Sequence, residues 1–381
     1  MSRPRRLLTL GHSYVVGTNR RLAQAIADAG AAEWDVTAAA PASFPGDLGP
    51  IALRPAPGER VEPLSVRGAG RIHTMRYGRD LRELLRREWD VVHCWEEPFI
   101  LAGAQVAAWT PRRTRLVFAT FQNLPKRYPP PFGWMERYAM RRADGWIAFG
   151  RLVEQVLASR PTYARRPHRV IAPGVDTALF RRDRQARARV RASLGWGDAG
   201  PPIVGYLGRF VPEKGMETLM RALDGCAEPC RALFVGGGRM EAEVRAWAAR
   251  HGERVRVVTG VAHDAVPDYL NAMDLLCAPS RTTRRWHEQL GRMLTEAMAC
   301  GVPVIGSDSG EIPHVIADAG LIAPEDDVGA WTRAIDSLLA DPSRRADLAG
   351  RGLARVEAEY ALDAVARRHL EFFTELLRDT A

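Results

Sequence analysis

The segment from residue 205 to residue 215 carries the side chains best suited to chemistry on a phosphate. It reads Gly-Tyr-Leu-Gly-Arg-Phe-Val-Pro-Glu-Lys-Gly, so Gly208, Arg209 and Lys214 share one short loop. The loop leaves a predicted strand and enters a predicted helix, which puts both cations beside a helix N-terminus at the carboxyl edge of a sheet. Two fixed cations there suit a diphosphate and would neutralise charge on a departing phosphate. The alternative, that Arg209 and Lys214 are two exposed loop cations that bind no ligand, fits the sequence equally well.

A second segment places two carboxylates, Glu288 and Glu296, around the start of a predicted helix. Glu288 precedes the first apolar residue of that helix, and Glu296 lies about two turns inside it. A carboxylate ahead of a helix can accept hydrogen bonds from sugar hydroxyls, and free amides at Leu290 and Gly291 can hold phosphate oxygens. Glycine at 291 would let an anion approach closely. On spacing alone, an ordinary N-terminal acid and a solvated helix acid are the favoured interpretation.

Two glycine-containing turns follow other predicted strands and are weaker signals. Residues 236–239 read Gly-Gly-Gly-Arg, and residues 306–313 read Gly-Ser-Asp-Ser-Gly-Glu-Ile-Pro. Glycines at a strand end suit the close approach of a nucleotide, but a tight turn requires them equally. Neither turn matches the P-loop pattern or the G-x-G-x-x-G dinucleotide fingerprint.

These loops are positioned by an alternation of strands and helices that runs through almost the whole chain. Strands separated by helices of this length predict parallel sheets with helices on both faces. The rhythm breaks at residues 181–202, which are rich in arginine and then in glycine and proline, and we place the connection between two domains near there. The pattern predicts an α/β fold of two Rossmann-like, doubly wound domains facing a central cleft. Open α/β sheets bind ligands at the carboxyl ends of their strands, which would line that cleft.

The composition excludes several other classes of protein. Of the 381 residues, 46% are hydrophobic and 26% are charged, which are globular values. No apolar run approaches the ~20 residues of a membrane helix. The basic, apolar N-terminus breaks at Gly11 without a cleavage site, so we interpret it as a first strand and the protein as cytoplasmic. The net charge of +9 indicates an anionic partner, but the arginines are dispersed and no nucleic-acid module is recognisable.

Lysine and cysteine are both scarce. Lys126 and Lys214 are the only lysines among 54 basic residues, and a lysine that persists against an arginine bias can mark a need for a compact ammonium group. The alternative is that the two lysines persist by chance. The five cysteines are mostly far apart. Only three residues separate Cys226 from Cys230, but no second Cys or His pair completes a zinc site. We interpret the cysteines as buried or half-buried thiols.

Together these segments resemble the retaining glycosyltransferases of family 4, which have the GT-B fold. Four motifs carry the resemblance: Gly-Arg followed by Lys-Gly, Glu288-x7-Glu296 followed by Ala-Met-Ala-Cys-Gly-Val-Pro-Val-Ile, Gly-Val-Asp at 174–176, and the Gly-Ser-Asp-Ser-Gly-Glu-Ile-Pro turn. They occur in the order and on the elements typical of that family. The resemblance covers nearly all of residues 140–330 and, more loosely, the first domain. It implies a nucleotide-sugar donor bound mainly by the second domain.

The resemblance implies that three residues perform the transfer. Arg209 and Lys214 would clamp the donor diphosphate, and Glu288 would hold the donor sugar. The family transfers with retention by a front-face route, in which the leaving phosphate takes the acceptor proton. Neither a covalent nucleophile nor a metal or other cofactor is implied. The sequence agrees, since it has no D-x-D pair that could carry Mg²⁺ to a diphosphate.

Five further residues would complete the donor site. Glu296 would bind the ribose hydroxyls, and the amides of Leu290 and Gly291 would reach the phosphate. Val261, after another predicted strand, would lie by the nucleobase, and Gly208 would lie beside the diphosphate clamp.

The first domain is expected to hold the acceptor. The acceptor-side residues implied lie at predicted strand ends or in the loops after them, and they are Gly17, His93, Glu96, Gln122 and Asn123. At the position of Gln122, many relatives have a histidine that faces the reacting sugar. In this sequence the segment reads Gln-Asn…Lys-Arg-Tyr-Pro-Pro-Pro-Phe, which looks like a sub-branch of the family. An amide can hydrogen-bond a sugar hydroxyl, but it cannot titrate near neutral pH. His93 also fits a satisfied histidine at a strand end, and Glu96 fits a cap of the following helix.

Residues 126–146 mix basic and aromatic side chains. We hypothesise that this surface touches anionic lipid at the inner face of a membrane, because many relatives glycosylate membrane-linked acceptors. An ordinary amphipathic helix packed on its sheet is the alternative.

The sequence therefore predicts a transferase that moves a hexose from a nucleotide diphosphate sugar to a hydroxyl of a glycan, a glycolipid or a small metabolite. We expect an acceptor-binding domain at 1–185, a nucleotide-sugar-binding domain at 186–360, and a helix at 361–381 that crosses back to the first domain. Two rival functions are a phosphorylase-like enzyme with pyridoxal phosphate and a catalytically inactive sugar-binding protein of the same fold. Lys214 lies in the wrong motif for the first rival, and intact candidate residues argue against the second.

Overall fold

The protein is described from a computed structural model that covers residues 3–46, 49–197 and 200–378. The chain divides into two compact units. The first comprises the residues up to Gly174 together with the segment from Leu362 onward, and the second runs from Val175 to Ala361. The division falls ahead of the boundary predicted at residue 185. Which unit binds the donor and which the acceptor stays a prediction.

The first unit is built on a parallel sheet. Its strands are β1 (Arg5–Leu10), β2 (Trp34–Pro41), β3 (Ser43–Gly46), β4 (Gly49–Ala52), β5 (Val61–Leu64), β6 (Val66–Arg67), β7 (Arg76–Tyr77), β8 (Val91–Cys94), β9 (Arg115–Thr120), β10 (Gly145–Ala148) and β11 (His168–Val170). Within the described residues, seven of them pair in the order β11-β10-β9-β8-β1-β2-β5. The short β3–β4 and β6–β7 pairs are antiparallel.

Helices connect these strands. They are α1 (Gly17–Ala29), α2 (Arg79–Arg86), α3 (Leu101–Trp109), α4 (Phe132–Arg142), α5 (Arg151–Ala158) and α6 (Pro161–Ala164). A parallel sheet needs such crossovers, because consecutive parallel strands cannot be joined by a hairpin.

The second unit repeats the plan. Its strands are β12 (Ile203–Arg209), β13 (Arg231–Gly237), β14 (Val255–Val258), β15 (Leu275–Ala278), β16 (Val304–Ser307) and β17 (Gly320–Ala323). In the part of the unit that the structure describes, they form a parallel sheet in the order β14-β13-β12-β15-β16-β17. Its helices are α7 (Arg184–Ser193), α8 (Met216–Asp224), α9 (Glu241–Arg250), α10 (Val266–Ala272), α11 (Arg292–Ala299), α12 (Ile312–Ile316), α13 (Val328–Ala340) and α14 (Pro342–Arg355). The prediction of two successive doubly wound units is confirmed.

The arginine-rich stretch after residue 181 is a helix of the second unit and not the connection that we predicted. The Asp183 carboxylate caps α7 by accepting a hydrogen bond from the Ala186 amide at 2.9 Å. Arg187 and Arg191, one turn apart, each bind a different oxygen of Asp274 at 2.6 Å. The arginines therefore attach α7 to the sheet, a role that their charge concealed in the sequence.

The last helix, α15 (Leu362–Arg378), completes the core of the first unit. Its buried Val365, Phe372 and Phe373 belong to one apolar cluster with Leu7 of β1 and Ile26 of α1. Burial of each large apolar side chain contributes about 1.5–3 kcal/mol, so α15 is an integral part of this core. No helix among the described residues is both long and apolar enough to cross a membrane.

Candidate active site

The loops with the predicted cations and carboxylates follow adjacent strands of the second sheet. β12 pairs with β13 on one side and with β15 on the other, so the strand order reverses at β12. Open α/β sheets bind ligands in the crevice at such a switch point, outside the carboxyl ends of the strands. Lys214 follows β12 and Glu288 follows β15, so the fold brings the two main sequence segments together.

Lys214 and Glu288 form an ion pair between the lysine Nζ and the glutamate Oε2. Their side chains are 11% and 7% exposed. The Ser280 hydroxyl donates to the same Oε2 at 2.7 Å, and the ammonium lies 5.0 Å from the centre of the Trp286 ring. Lys214 is thus held in place by a carboxylate and an aromatic face, and a small part of it still reaches solvent.

Glycine at position 215 allows the two loops to meet. Gly215 has a φ of +70°, and a Cβ there would lie 1.7 Å from the carbonyl oxygen of Pro279. A side chain would clash with that backbone, and the left-handed conformation disfavours any residue but glycine. The backbone contact fixes Lys214 next to the loop that carries Ser280 and Glu288.

Arg209 ends β12 and its side chain is exposed. Its carbonyl oxygen accepts a hydrogen bond from the Tyr206 hydroxyl at 2.8 Å, which fixes the strand end. In the portion of the chain covered by the structure, the Arg209 guanidinium makes no ion pair and no hydrogen bond. It is therefore available to an anion in a way that Lys214 is not.

The two glycine-rich turns serve the packing of these loops. A Cβ on Gly236 would lie 1.8 Å from the carbonyl oxygen of Gly208, and one on Gly310 would lie 2.1 Å from that of Glu288. The Glu311 amide donates to the Glu288 carbonyl at 3.1 Å. Close backbone approach accounts for both glycines, as the tight-turn interpretation predicts. The second turn also holds the backbone of Glu288 in place.

The helix after Glu288 begins later than the sequence pattern predicts. It starts at Arg292, and Gly291 is its N-cap with a left-handed φ of +76°. Leu290 and Gly291 therefore lie ahead of the helix, because the left-handed residue ends the preceding loop. Among the described residues, their amides donate no hydrogen bond. Their contact with a phosphate stays a prediction.

Glu296 and Val261 have different surroundings. Glu296 lies within α11 and is 7% exposed. Burial raises the pKa of its carboxyl, and Arg292, with its Nε 3.9 Å away, opposes that rise. Val261 is half-buried in the loop after β14, two strands from β12. The donor roles of both residues stay predictions.

The first unit has a comparable switch point, occupied by a histidine and a carboxylate. β1 pairs with both β2 and β8, His12 follows β1, and Glu96 follows β8. The fully buried Glu96 accepts hydrogen bonds from the His12 amide at 2.6 Å and the Tyr77 hydroxyl at 2.5 Å, and its Oε2 lies 2.7 Å from His12 Nδ1. Burial alone would lower the pKa of His12, but the charge and hydrogen bond of Glu96 outweigh it and raise the pKa.

Sequence analysis did not select His12. The signal was nevertheless present, since a polar residue two positions after one strand and an acid two positions after its neighbour share an edge of the sheet. The His12 side chain is 28% exposed, so it can meet a ligand, and Glu96 is the residue that positions it.

His93 lies inside the first unit, and the structure corrects its predicted place on the acceptor side. Its side chain is fully buried, with ring centres 5.8 Å from Trp95, 5.2 Å from His369 and 5.3 Å from Phe373. The Thr9 hydroxyl lies 3.2 Å from its Nδ1. Burial lowers the pKa of His93 well below its usual value, so the ring is neutral. His93 therefore fits the alternative interpretation, a buried histidine near the end of its strand.

Gln122 belongs to a buried polar network. Its Nε2 donates to Glu97 at 3.1 Å and to the Tyr163 hydroxyl at 3.2 Å, and its Oε1 accepts from Arg160 at 3.0 Å. Burial raises the pKa of Glu97 to about 7, although the hydrogen bonds that it accepts oppose the rise. Both amide protons of Gln122 are therefore engaged inside the protein. This arrangement positions the loop after β9.

Gly17 and Asn123 complete the acceptor-side residues predicted from the sequence. Gly17 is exposed and is the first residue of α1. Asn123 is buried directly after Gln122. A contact of either residue with an acceptor stays a prediction.

Metal-ligating side chains do not cluster in the residues that the structure describes. No group of three or more His, Cys, Asp or Glu side chains is placed to hold an ion there. The expected independence from metals and cofactors stays a prediction.

Two protein-family models match the chain. The model described as "Glycosyl transferases group 1" matches residues 191–354, and the model described as "Glycosyltransferase Family 4" matches residues 16–179. The first match includes the loops after β12 and β15, and the second includes the residues predicted to lie on the acceptor side.

Several relatives of the chain are mannosyltransferases by name, and others are named as glycosyltransferases with different substrates. A GDP-mannose-dependent alpha-(1-6)-phosphatidylinositol monomannoside mannosyltransferase from Mycolicibacterium smegmatis is 36% identical over 230 residues, which are 56% of this chain. That match spans only 60% of the relative's length. The protein of the same name from Mycobacterium tuberculosis is 31% identical over 300 residues, which are 74% of this chain and 76% of that protein.

Solved structures share the architecture. Sucrose-phosphate synthase from Thermosynechococcus elongatus superposes with a TM-score of 0.74 at 24% identity, over 99% of this chain and 100% of that one. A likeness at this identity concerns the fold alone.

Proposed function

The chain belongs to the glycosyltransferases that combine a family 4 domain and a group 1 domain in the GT-B fold, and on this premise we propose that it transfers a hexose from a nucleotide diphosphate sugar to a hydroxyl acceptor. The names of the mycobacterial relatives make GDP-mannose the first donor to test and a phosphatidylinositol glycolipid the first acceptor. The alternative acceptors are a glycan and a small metabolite.

The observation that carries the proposal is the Lys214–Glu288 ion pair at the switch point, with Arg209 on the same loop as Lys214. A diphosphate entering this edge would take the place of Glu288 beside the ammonium, because it carries more charge than a carboxylate and gains Arg209 as a second cation. Glu288 would then be free to accept hydrogen bonds from the donor sugar. Donor binding would thus exchange the partners of both residues.

The proposed chemistry follows from this placement of charge. The bond between the sugar carbon and the diphosphate oxygen breaks, and negative charge accumulates on the diphosphate beside Lys214 and Arg209. The acceptor oxygen attacks from the same face, and the leaving oxygen takes its proton. The configuration at the sugar carbon is retained without a covalent enzyme intermediate. Neither a metal nor a cofactor takes part in this scheme.

The two rival functions make different demands on the same residues. A pyridoxal phosphate enzyme needs a lysine amine that can form a Schiff base, whereas Lys214 is ion-paired and Lys126 is exposed. An absorbance band from bound pyridoxal would support this rival. A catalytically inactive sugar-binding protein would bind a donor without turning it over.

The proposal is tested in two steps. A thermal-shift panel of GDP-mannose, UDP-glucose and ADP-glucose identifies the donor, because a ligand that binds the folded state raises the melting temperature. The radiolabelled donor is then incubated with phosphatidylinositol-containing vesicles or with free sugars, and NMR of the product gives its anomeric configuration. We expect a shift with one donor and a product with retained configuration. Inversion would contradict the front-face route, and no shift with any nucleotide sugar would contradict the function.

We further propose that α4 brings the protein to an anionic membrane. Trp134 and Tyr138 are 60% and 50% exposed and lie one turn apart. The exposed Arg137 and Arg141 share their face of the helix, because all four positions recur at helical spacing. Exposed aromatic rings and cations on one face suit the headgroup region of an anionic bilayer. The alternative, packing of the opposite face on the sheet, accounts for the presence of the helix. It does not account for the exposure of two aromatic rings and two arginines on one face.

Vesicle sedimentation tests this contact. We expect the protein to sediment with anionic vesicles at low salt, and less with zwitterionic ones. Trp134→Ser with Tyr138→Ser should weaken the binding, whereas Arg250→Gln, an exposed arginine of α9, should leave it unchanged. Failure of the wild-type protein to sediment with anionic vesicles at low salt would refute the contact.

A further inference from the structure

Cys226 and Cys230 lie in the loop that joins α8 to β13. This loop precedes β13 and is therefore at the amino edge of the second sheet, whereas the residues proposed for transfer follow the carboxyl ends of the strands. The loop is anchored by Asp336, whose carboxylate accepts hydrogen bonds from the Ala227 and Glu228 amides at 3.2 Å each. The two thiols thus occupy a defined place that the proposed function does not use.

The two thiols are neighbours that line one hollow, and each is the largest influence on the pKa of the other. The Cys226 sulfur also lies 3.3 Å from the carbonyl oxygen of Ala222. Cys226 is half-buried and Cys230 is 4% exposed. Two thiols that share one short loop and one hollow need little movement to form a covalent bond.

Arg254 favours negative charge on the Cys230 sulfur. Its Nη2 donates to the Cys230 sulfur at 3.2 Å, and its Nε donates to the Cys230 carbonyl at 2.9 Å. The interaction with the Cys226 thiol lowers the pKa of Cys230 to about 6, and Arg254 adds to this effect against burial and the charge of Asp336. The pKa of Cys226 is raised. The pair therefore consists of a thiolate at 230 and a thiol that keeps its proton at 226.

The other cysteines have no such surroundings. Cys94 and Cys277 are fully buried in the cores of the two units, and burial raises the pKa of each thiol. Burial raises the pKa of Cys300 to about 12. Since the thiolate is the reactive form, these three cysteines are internal controls for the pair.

A surface hollow of about 630 Å³ gives access to the pair. Its lining includes both cysteines, Trp196, Arg231, Glu253 and Arg254. The hollow admits a small oxidant, and Arg254 in its lining favours the thiolate form of Cys230.

We propose that Cys226 and Cys230 form a peroxide-sensitive dithiol that closes to an intrachain disulfide. The Cys230 thiolate attacks one oxygen of hydrogen peroxide, so an S–O bond forms, the O–O bond breaks, and sulfenic acid and hydroxide result. The Cys226 sulfur then attacks the Cys230 sulfur, and the sulfenic oxygen leaves with two protons as water. The thiol pair loses two electrons and the peroxide gains them.

The test uses the reduced full-length protein and one equivalent of hydrogen peroxide. Free thiols are alkylated after unfolding, and peptides are analysed by mass spectrometry. We expect the peptide containing residues 226–230 to lose two hydrogen atoms and to regain them with dithiothreitol, while the other three cysteines stay alkylated. In Cys226→Ser, Cys230 should stop at the sulfenic acid and be trapped by dimedone. Equal oxidation of all five cysteines, or no change in the 226–230 peptide, would overturn the proposal.

The role of Arg254 is tested by the oxidation rate. At about pH 5, below the wild-type midpoint, loss of the guanidinium in Arg254→Gln should slow oxidation by about threefold for each unit by which the pKa of Cys230 rises, because the thiolate fraction falls more than the nucleophilicity of each thiolate increases. Arg254→Lys keeps the charge and should lie nearer the wild type, and Arg250→Gln is the matched control. An unchanged rate in a folded Arg254→Gln protein would overturn the assignment.

The wild-type protein provides a measurement that does not depend on how the variants fold. Its oxidation rate should rise with pH around a midpoint near 6, as the Cys230 thiolate forms. A midpoint near the ordinary thiol value of 9.0 would mean that the pair is not activated, which overturns the proposal.

Discussion

Lys214 and Glu288, 74 residues apart in the sequence, form a largely buried ion pair at the switch point of the second sheet. The pair joins the loop after β12 to the loop after β15, and Ser280 reinforces it from the carboxylate side. A paired ammonium on the same loop as the exposed Arg209 suits an anion, because the incoming ligand finds the lysine already held in place. The first two predictions follow from this relationship.

Replacing Lys214 with alanine should reduce turnover by about 10²–10³-fold, the usual cost of removing one preorganised charge from a developing oxyanion. The measurement is kcat with the donor that the thermal-shift panel identifies. Arg250→Ala, which removes an exposed cation of the same unit, is the control and should retain full turnover. Near-normal turnover of Lys214→Ala would refute its place at the leaving group.

Replacing Glu288 with glutamine should weaken transfer and leave the affinity for the nucleoside diphosphate largely intact, because Glu288 is proposed to hold the sugar. The substitution also leaves the Lys214 ammonium without its charged partner, so the free enzyme should unfold at lower denaturant concentration. Calorimetric titration with GDP and an initial-rate assay separate the two effects. A variant that loses affinity for GDP while transferring normally would contradict the assignment.

The α/β architecture could be predicted because it depends on local pattern. Strands of buried residues alternate with helices of apolar periodicity, and parallel sheets follow from that alternation. The loops that carry chemistry were also predictable, since each follows a strand. The helix at Arg184–Ser193 was not, because Arg187 and Arg191 read as a solvated charge run until Asp274, far along the chain, is seen to bind both.

The candidate site was less predictable than the fold, because side-chain partners are set by tertiary contacts. Sequence analysis selected Lys214 and Glu288 separately but could not show that they pair. It placed His93 with the acceptor, whereas the C-terminal helix covers that residue. It passed over His12, whose partner Glu96 lies 84 residues away and is revealed only by the register of β1 beside β8.

His12 should titrate above its usual value of 6.5, because the buried Glu96 favours the imidazolium. Its ring is packed at 5.0 Å from Phe44, and Glu96 and Glu97 are the charged groups that raise its pKa. A pKa that is higher in the folded state adds stability below 6.5, and that stability is lost as the pH rises through the folded value. NMR titration of the ring protons measures the midpoint.

The matched variant for His12 is Glu96→Gln, which keeps the shape of the side chain and removes its charge. We expect the His12 midpoint to fall in this variant. An unchanged His12 midpoint would show that Glu96 does not control its charge.

His369 and His93 should make the first unit sensitive to acid. Both Nε2 atoms are buried and have no hydrogen-bond partner in the described structure. Burial lowers the pKa of His369 to about 4, and the pKa of His93 is lowered well below its usual value by burial and by the neighbouring His369. Below pH 6.5 the unfolded chain therefore binds more protons than the folded protein. The stability is present above pH 6.5 and is lost as the pH falls toward about 4, by about 3 kcal/mol for His369.

His369→Phe, which suits the adjacent Phe373 ring, should make the free energy of unfolding in urea less dependent on pH across this window. Parallel pH profiles of the two proteins would show that His369 is not the acid-sensitive group.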